Sequence, residues 1–255
     1  EGTSEGITVR NDTGVEEGGE ISMYYDPMIA KLVTHAPTRA QAIDAQAEAL
    51  DAFYIDGIQH NIPFLTALMQ HPRWRSGNIS TGFIKEEFPD GFKPRAPEGE
   101  ELKVLAAVGA AIDHVQNMRK RAISQQMHGK PVRFAAKRVV VLGKTAVQRV
   151  EIEGALDGVL KASMIGEDGK VFDTLELASR WWPGDAVWSG VVRDRDASVQ
   201  VRPILNGYDL AYRGIHVPVR VYTEHEAAMA ALMPEKVGAD MSKFLLCPMP
   251  GLIKA

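Results

Sequence analysis

Cysteine is almost missing from this sequence of 255 residues. Cys247 is the single thiol, so no disulfide can form within the chain, and such usage is typical of a reducing compartment, the bacterial cytoplasm or the mitochondrial matrix. No apolar run approaches the ~20 residues that span a bilayer, which excludes a transmembrane helix. Basic residues are not in excess either, with 29 Lys and Arg against 33 Asp and Glu. We therefore expect neither nucleic acid nor a membrane as a partner.

Self-contained catalytic motifs are missing as well. The sequence has no phosphate loop of the Walker type, no GxSxG elbow and no HExxH motif, and its seven histidines lack the spacing of metal ligands. The Trp181-Trp182 pair is compatible with an aromatic ligand platform, but ordinary packing in a sheet is favoured. Four isolated carboxylates cannot be paired from the sequence: Asp173, Glu176, Asp194 and Asp196. The residues alone favour an interaction or structural module, with no metal site.

What the sequence does contain is three regions of different pattern, separated by two linkers. Three prolines and two glycines lie among residues 89–101, and this composition breaks both helix and strand. The predicted order is residues 1–89, a linker over 90–101, residues 102–234, a linker over 235–244 and a final stretch over 245–255.

The first region predicts a short strand segment followed by helices. Strand formers are concentrated at residues 21–35, and Thr38 can cap the alanine-rich helix that follows. Asn61 can cap a second helix, with Pro63 in its first turn and Pro72 as its end. A short third helix is expected over about 81–88.

The second region predicts a helix inside a barrel. Residues 102–122 indicate one helix whose first half is apolar on every side, and such a helix is normally enclosed by other elements. Residues 138–222 contain eight strand-like runs separated by turn signals such as Asn206-Gly207. We therefore predict an α+β fold in which an antiparallel barrel of about eight strands surrounds the long helix. A short helix is expected over 224–233.

Both ends of the sequence resemble parts of biotin enzymes. The first region is similar to the C-terminal part of biotin carboxylase domains in three segments: VRNDTGVEEGGEISMYYDPMIAKL, ALDAFYIDGIQHNIPFL and GNISTGFI. The closing LLCPMPGLIKA resembles the first strand of a biotin carrier domain, but no Met-Lys-Met segment for the biotin follows it. Because the chain starts at Glu1 and ends in this opening strand, we expect it to be a piece of a longer protein.

In this order, the three regions resemble the biotin-containing α subunit of an acyl-CoA carboxylase, most of all that of propionyl-CoA carboxylase. The resemblance implies a ligase that converts propionyl-CoA to methylmalonyl-CoA, although this piece alone is expected to be inactive. It implies biotin, ATP, bicarbonate and Mg or Mn, at sites outside the chain, and a carboxyltransferase β subunit as partner in a hetero-oligomer. An α subunit for methylcrotonyl-CoA or another acyl-CoA and a non-catalytic assembly module remain as alternatives.

The resemblance also implies the candidate site residues. Arg10 matches the family arginine that stabilises charge on the ureido oxygen of biotin, so it is the candidate catalytic and biotin-binding residue. A surface ion pair is its alternative role. Residues 122–137 form a connection too long to be tight, and four apolar residues lie in it: Met127, Pro131, Val132 and Phe134. We expect them to insert into the β subunit, the alternative being a lid over one end of the barrel.

Overall fold

The structure, a computed structural model, describes residues 6–16, 18–22, 24, 28–125, 129–130, 132–155 and 158–234. Within these ranges the chain forms two units, each with its own hydrophobic cluster. None of the helices in the described ranges combines the length and apolar character that crossing a bilayer requires. The expected closing strand at 245–255 lies outside the described residues.

The first unit contains a two-stranded antiparallel sheet and four helices. Its elements are β1 (Thr8–Thr13), β2 (Ala30–His35), α1 (Arg39–Ala52), α2 (Ile62–Gln70), α3 (Pro72–Ser76) and α4 (Phe83–Glu87). As predicted, Thr38 caps α1, because its hydroxyl accepts a hydrogen bond from the backbone N–H of Gln41. Asn61 precedes α2, but its side chain makes no capping bond. Pro72 starts the additional helix α3, since a proline is well tolerated at the first helical position.

The sheet of this unit is shorter than the predicted strand segment. β2 begins only at Ala30, and the described residues between 21 and 29 are not in a strand. The Asp26-Pro27 step lies outside the described residues. Residues 32 and 34 face α1, where the Thr34 hydroxyl donates to the carbonyl of Ala42 over 3.0 Å.

The second unit is a closed antiparallel barrel around one helix, which confirms the predicted fold. Its elements are α5 (Gly99–Ala122), β3 (Lys137–Leu142), β4 (Ala146–Glu153), β5 (Leu160–Ile165), β6 (Val171–Ser179), β7 (Val187–Val192), β8 (Arg195–Ile204), β9 (Gly207–Tyr212), β10 (Ile215–Tyr222) and α6 (Glu224–Ala230). The strands pair in chain order, and β10 pairs with β3 to close the barrel. Because Glu100 and Glu101 favour a helix N-terminus, α5 begins at Gly99, inside the predicted linker.

Helix α5 fits inside the barrel because its buried residues are small. Every residue from 104 to 112 is buried, and five of these nine are alanine or glycine. The interior of an eight-stranded barrel is just wide enough for side chains, so an enclosed helix must be thin. At Gly109 an added Cβ would lie 2.9 Å from a methyl carbon of Val219. This glycine therefore allows the helix to contact β10 closely.

The two ends of the barrel differ in what they carry. The N-terminal end of α5 lies at the β5–β6 and β7–β8 turns, where Lys103 contacts Asp173 over 2.6 Å and Arg193 pairs with the same carboxylate. These hydrogen bonds, first from Arg193 and then from Lys103, lower the pKa of Asp173 to about 2. At the C-terminal end of α5, Arg119 lies over the ring of the half-exposed Trp182. We call these the N-end and the C-end of the barrel.

We expect the buried face of α5 to tolerate no charge. Val108→Asp should lower the free energy of unfolding by about 3–5 kcal/mol, because it buries a carboxylate without a partner. The matched control is Val147→Asp, the same change on the outer face of β4, where the side chain is 56% exposed. Urea denaturation followed by circular dichroism measures both variants. Equal stabilities of the two variants would contradict the enclosed position of Val108.

Candidate functional site

Arg10 lies on the open face of the two-stranded sheet. β1 and β2 are antiparallel, and Arg10 stands opposite Val33. Successive side chains of a strand point to opposite faces, so Asp12 shares the face of Arg10. Since α1 covers the other face of β2, the Arg10 face is exposed among the described residues.

Arg10 forms a two-pronged ion pair with Asp12. Its Nε lies 2.9 Å from Oδ1 and its Nη2 donates to Oδ2 over 3.0 Å. The Arg10 side chain is 63% exposed, and ion pairs at such positions typically add only about 0–1 kcal/mol to stability. The pair therefore orients the guanidinium along the open face without being needed for the fold. The structure shows the ion pair that the sequence left as the alternative, and the role of Arg10 towards biotin stays a prediction.

The loop between α5 and β3 carries the candidate partner contacts. Met127 and Pro131 lie outside the described residues. Val132 and Phe134 are 45% and 37% exposed, and neither belongs to a hydrophobic cluster. Ile123, directly after α5, is also exposed, and sequence reasoning missed it although it follows a strongly basic helix end. The exposure of these described residues favours contact with a partner over packing onto the end of the barrel.

The returning end of this loop is fixed to α5 by a buried arginine. Arg138 on β3 is nearly inaccessible to solvent, and its Nε donates to Asp113 Oδ2 over 2.7 Å. Its Nη1 donates to the backbone carbonyls of Ala135 and Lys137. Asn117 donates to the same carboxylate oxygen over 2.8 Å. Because the Arg138 guanidinium donates to the Asp113 carboxylate and to two backbone carbonyls, these hydrogen bonds hold the end of the loop that leads into β3 in one position.

Further apolar side chains are exposed on connections at the C-end of the barrel. They belong to the β4–β5, β6–β7 and β8–β9 connections and to the residues after α6: Val159, Trp182, Leu205, Leu232 and Met233. Packing was favoured for the Trp181-Trp182 pair, and Trp181 is buried in the barrel core, whereas Trp182 is half-exposed. Contiguous apolar patches are typical of surfaces that bind another protein, and all of these side chains lie on connections at the same end of the barrel. The C-end is thus the candidate interaction surface.

A polar joint connects the two units on another side of the barrel. The side-chain amide of Gln200 on β8 donates to the carbonyls of Leu50, Asp51 and Phe53 at 3.2–3.4 Å. Arg202 donates to the carbonyl of Ile55 over 2.8 Å. These four carbonyls lie at and just after the end of α1, so the barrel supplies the hydrogen-bond donors that this helix end needs.

Asp51 is the one buried carboxylate at this joint among the described residues. Its Oδ1 accepts a hydrogen bond of 2.8 Å from the backbone N–H of Arg213, in the turn between β9 and β10. Burial raises the pKa of Asp51 to about 7, against the lowering effect of Arg213. A cleft of about 420 Å³ opens beside it, lined by both units. Burial also lowers the pKa of His60 in this cleft.

No group of three or more histidines, cysteines or acidic residues in the described ranges could hold a metal ion.

Residues 2–86 match the family described as the biotin carboxylase C-terminal domain. Residues 105–236 match the family described as the propionyl-coenzyme A carboxylase BT domain. The first match contains Arg10, and the second contains the barrel strands and the α5–β3 loop.

Relatives of this chain include two propionyl-CoA carboxylase α chains. That of Ruegeria pomeroyi is 45% identical over 245 residues, which are 96% of this chain and 35% of that protein. The mitochondrial α chain of Caenorhabditis briggsae is 32% identical over 262 residues, covering 96% of this chain and 34% of that protein. The chain therefore spans about a third of the length of these relatives. The mitochondrial methylcrotonoyl-CoA carboxylase subunit alpha of Dictyostelium discoideum is 38% identical over 114 residues, covering 45% of this chain and 16% of that protein.

We expect Asp51→Asn to remove a pH dependence of stability. The folded state raises the pKa of Asp51 from 3.8 to about 7. Its stabilising contribution is therefore full below about pH 4 and is lost as the pH rises to about 7. Asparagine keeps the acceptor for the N–H of Arg213, so the variant should exceed the wild type by up to about 4 kcal/mol at pH 8 and by little at pH 4. Urea denaturation at both pH values measures this; a difference independent of pH would contradict it.

Proposed function

Because the chain belongs to the family of propionyl-CoA carboxylase α chains, we propose that it is the part of such a subunit that connects biotin carboxylation to the carboxyltransferase β subunit. The observation that carries the proposal is the pairing of a unit matching the end of a biotin carboxylase with a barrel matching the BT domain. In the complete enzyme, ATP- and bicarbonate-dependent carboxylation of biotin precedes transfer of the carboxyl group to propionyl-CoA. The product is methylmalonyl-CoA.

The role of the first unit is to present Arg10 to the biotin ureido group. The open face of the β1–β2 sheet fits this role, because the guanidinium is exposed there and Asp12 fixes its direction. When biotin is bound, its ureido ring supplies the nitrogen that takes up the carboxyl group. Arg10 holds the negative charge on the ureido oxygen, and a permanently protonated guanidinium suits this task. ATP, bicarbonate and Mg or Mn are used by the complete subunit.

The role of the barrel is to bind the β subunit at its C-end. Exposed apolar side chains of the α5–β3 loop supply the anchors, and the Arg138–Asp113 network keeps the base of the loop in place. A few apolar anchors seated in pockets typically carry most of the energy of an interface. The complex is a hetero-oligomer, in the bacterial cytoplasm or the mitochondrial matrix.

The methylcrotonyl-CoA alternative has one observation in its favour. A relative acting on methylcrotonoyl-CoA matches 45% of the chain. The relatives matching 96% of the chain are propionyl-CoA carboxylase α chains, which favours propionyl-CoA. The acyl group is selected in the pocket of the β subunit, so assays of the assembled enzyme with both acyl-CoA substrates decide between them.

Two substitutions on β1 separate the catalytic role of Arg10 from an ion-pair role. In the full-length subunit, Arg10→Ala should lower the rate of biotin carboxylation about 10²-fold or more, with ATP affinity nearly unchanged. Asp12→Asn removes the ion pair but keeps the guanidinium, and should cost far less. Steady-state kinetics with free biotin measures both variants. Small and equal losses would assign Arg10 to the ion pair alone.

The partner-binding role of the α5–β3 loop is tested by a double substitution. Val132→Ser with Phe134→Ser should leave the fold unchanged by circular dichroism but weaken assembly with the β subunit about 10-fold or more. Val147→Ser with Val171→Ser is the matched control, since both of these valines are about half exposed on the barrel away from the C-end. Size-exclusion chromatography of the mixed subunits reads out assembly. Intact assembly of the folded loop variant would place the interface elsewhere.

A further inference from the structure

We propose that Gln200 and Arg202 are positioning residues, which hold the first unit in one orientation relative to the partner-binding C-end of the barrel. The proposal deepens the proposed function and rests on it, because orientation matters only if the two units serve successive steps of one reaction. Gln200 and Arg202 do not contact biotin in the proposed function, and they do not lie at the C-end.

The end of α1 needs partners from outside the helix. The last carbonyls of any helix have no N–H partner within it, and their partial negative charge favours nearby cations. Helix α1 has no basic residue in its last turn. The backbone N–H of Phe53 reaches the carbonyl of Leu50 over 3.3 Å. The carbonyls of Asp51 and Phe53 receive hydrogen bonds from the barrel.

The side-chain amide of Gln200 donates these hydrogen bonds from one fixed position. Its side chain is 3% exposed, and its amide nitrogen lies 3.2 Å from the carbonyl oxygens of both Asp51 and Phe53. Its amide oxygen accepts a bond of 3.1 Å from Arg202 Nη2. The same guanidinium lies 4.6 Å from the ring centre of Tyr54 and donates to the carbonyl of Ile55. Because both ends of the Gln200 amide are engaged, the helix end cannot slide along β8 without losing hydrogen bonds.

A second contact prevents rotation about the first. In the β9–β10 turn the N–H of Arg213 donates to Asp51, and the next residue, Gly214, packs on α2. An added Cβ at Gly214 would lie 3.2 Å from the backbone nitrogen of Ala67 and 3.3 Å from the carbonyl oxygen of Pro63. Two contacts on two different helices define one orientation.

Polar contacts decide this orientation because the two hydrophobic cores do not merge. The cluster in the barrel and the cluster in the first unit share no residue. Units joined without a large apolar interface usually move relative to each other. From Gln200 to Ile204, where β8 ends at the C-end, the strand spans about 13 Å, so a rotation of about 10° about Gln200 would displace this end by about 2 Å. Displacements of about 1 Å already impair reactions that depend on positioning.

The test compares two buried glutamines of the barrel in the full-length subunit. Gln200→Met removes the bonds to α1 at nearly constant volume. Gln148→Met is the matched control, because Gln148 is also buried but donates to Arg149 and Ile165 within the barrel. Hydrogen exchange of the Arg213 amide, which bonds across the joint, should become about tenfold faster in Gln200→Met and stay unchanged in Gln148→Met.

The functional arm uses the subunit assembled with its β subunit. Gln200→Met should keep the carboxylation of free biotin and the binding of the β subunit, while overall acyl-CoA carboxylation falls about tenfold. Equal exchange of the Arg213 amide in the two variants, or an overall rate of Gln200→Met equal to the wild type, would overturn the positioning role. If the wild-type complex carboxylates no acyl-CoA, the proposed function fails, and the exchange measurement still decides whether Gln200 holds the joint.

Discussion

The enclosure of α5 by the eight strands is the constraint on which the rest of the structure depends. A helix that is apolar on every side over residues 104–112 is stable only if all of its faces are covered, and a closed barrel covers them at once. Closure in turn demands a thin helix, which explains its alanines and Gly109. Because α5 fills the interior, residues that bind a partner or a ligand must lie at the two ends of the barrel or on its outer surface.

Polar contacts hold the first unit and the base of the α5–β3 loop, whereas the core is apolar and the C-end exposes apolar side chains. Arg138 and Asp113 hold the loop at the C-end, while Gln200 and Arg202 hold the first unit at the side. Each contact satisfies groups that would otherwise be buried without a partner, and this need makes their geometry specific. Apolar surface alone gives less directional control, because it tolerates sliding.

The strand runs, the helix and the barrel could be predicted from the sequence, because periodicity and turn residues such as Asn206-Gly207 are local signals. The contacts between the two units could not be predicted from the sequence. Gln200 and Asp51 are 149 residues apart in the chain, and nothing local shows that they meet. The pairing of Asp173 with Arg193 was hidden for the same reason. Pro72 follows the end of α2, as predicted, but the helix α3 that it begins was not predicted, although a proline is well suited to the first helical position. The domain boundaries and the role of Arg10 stay predictions.

The positions of the joint and the C-end explain why a barrel suits a connecting role. Antiparallel strands in chain order place alternate connections at opposite ends, so the β9–β10 turn meets the first unit while the α5–β3 loop, the β6–β7 loop and α6 lie at the other end. A closed barrel has no free strand edge and a continuous core, so it resists bending between the two ends. A flexible linker of the same length would allow both units to turn independently. The fold therefore provides a fixed distance between the first unit and the C-end, and this matters more than its affinity for either neighbour.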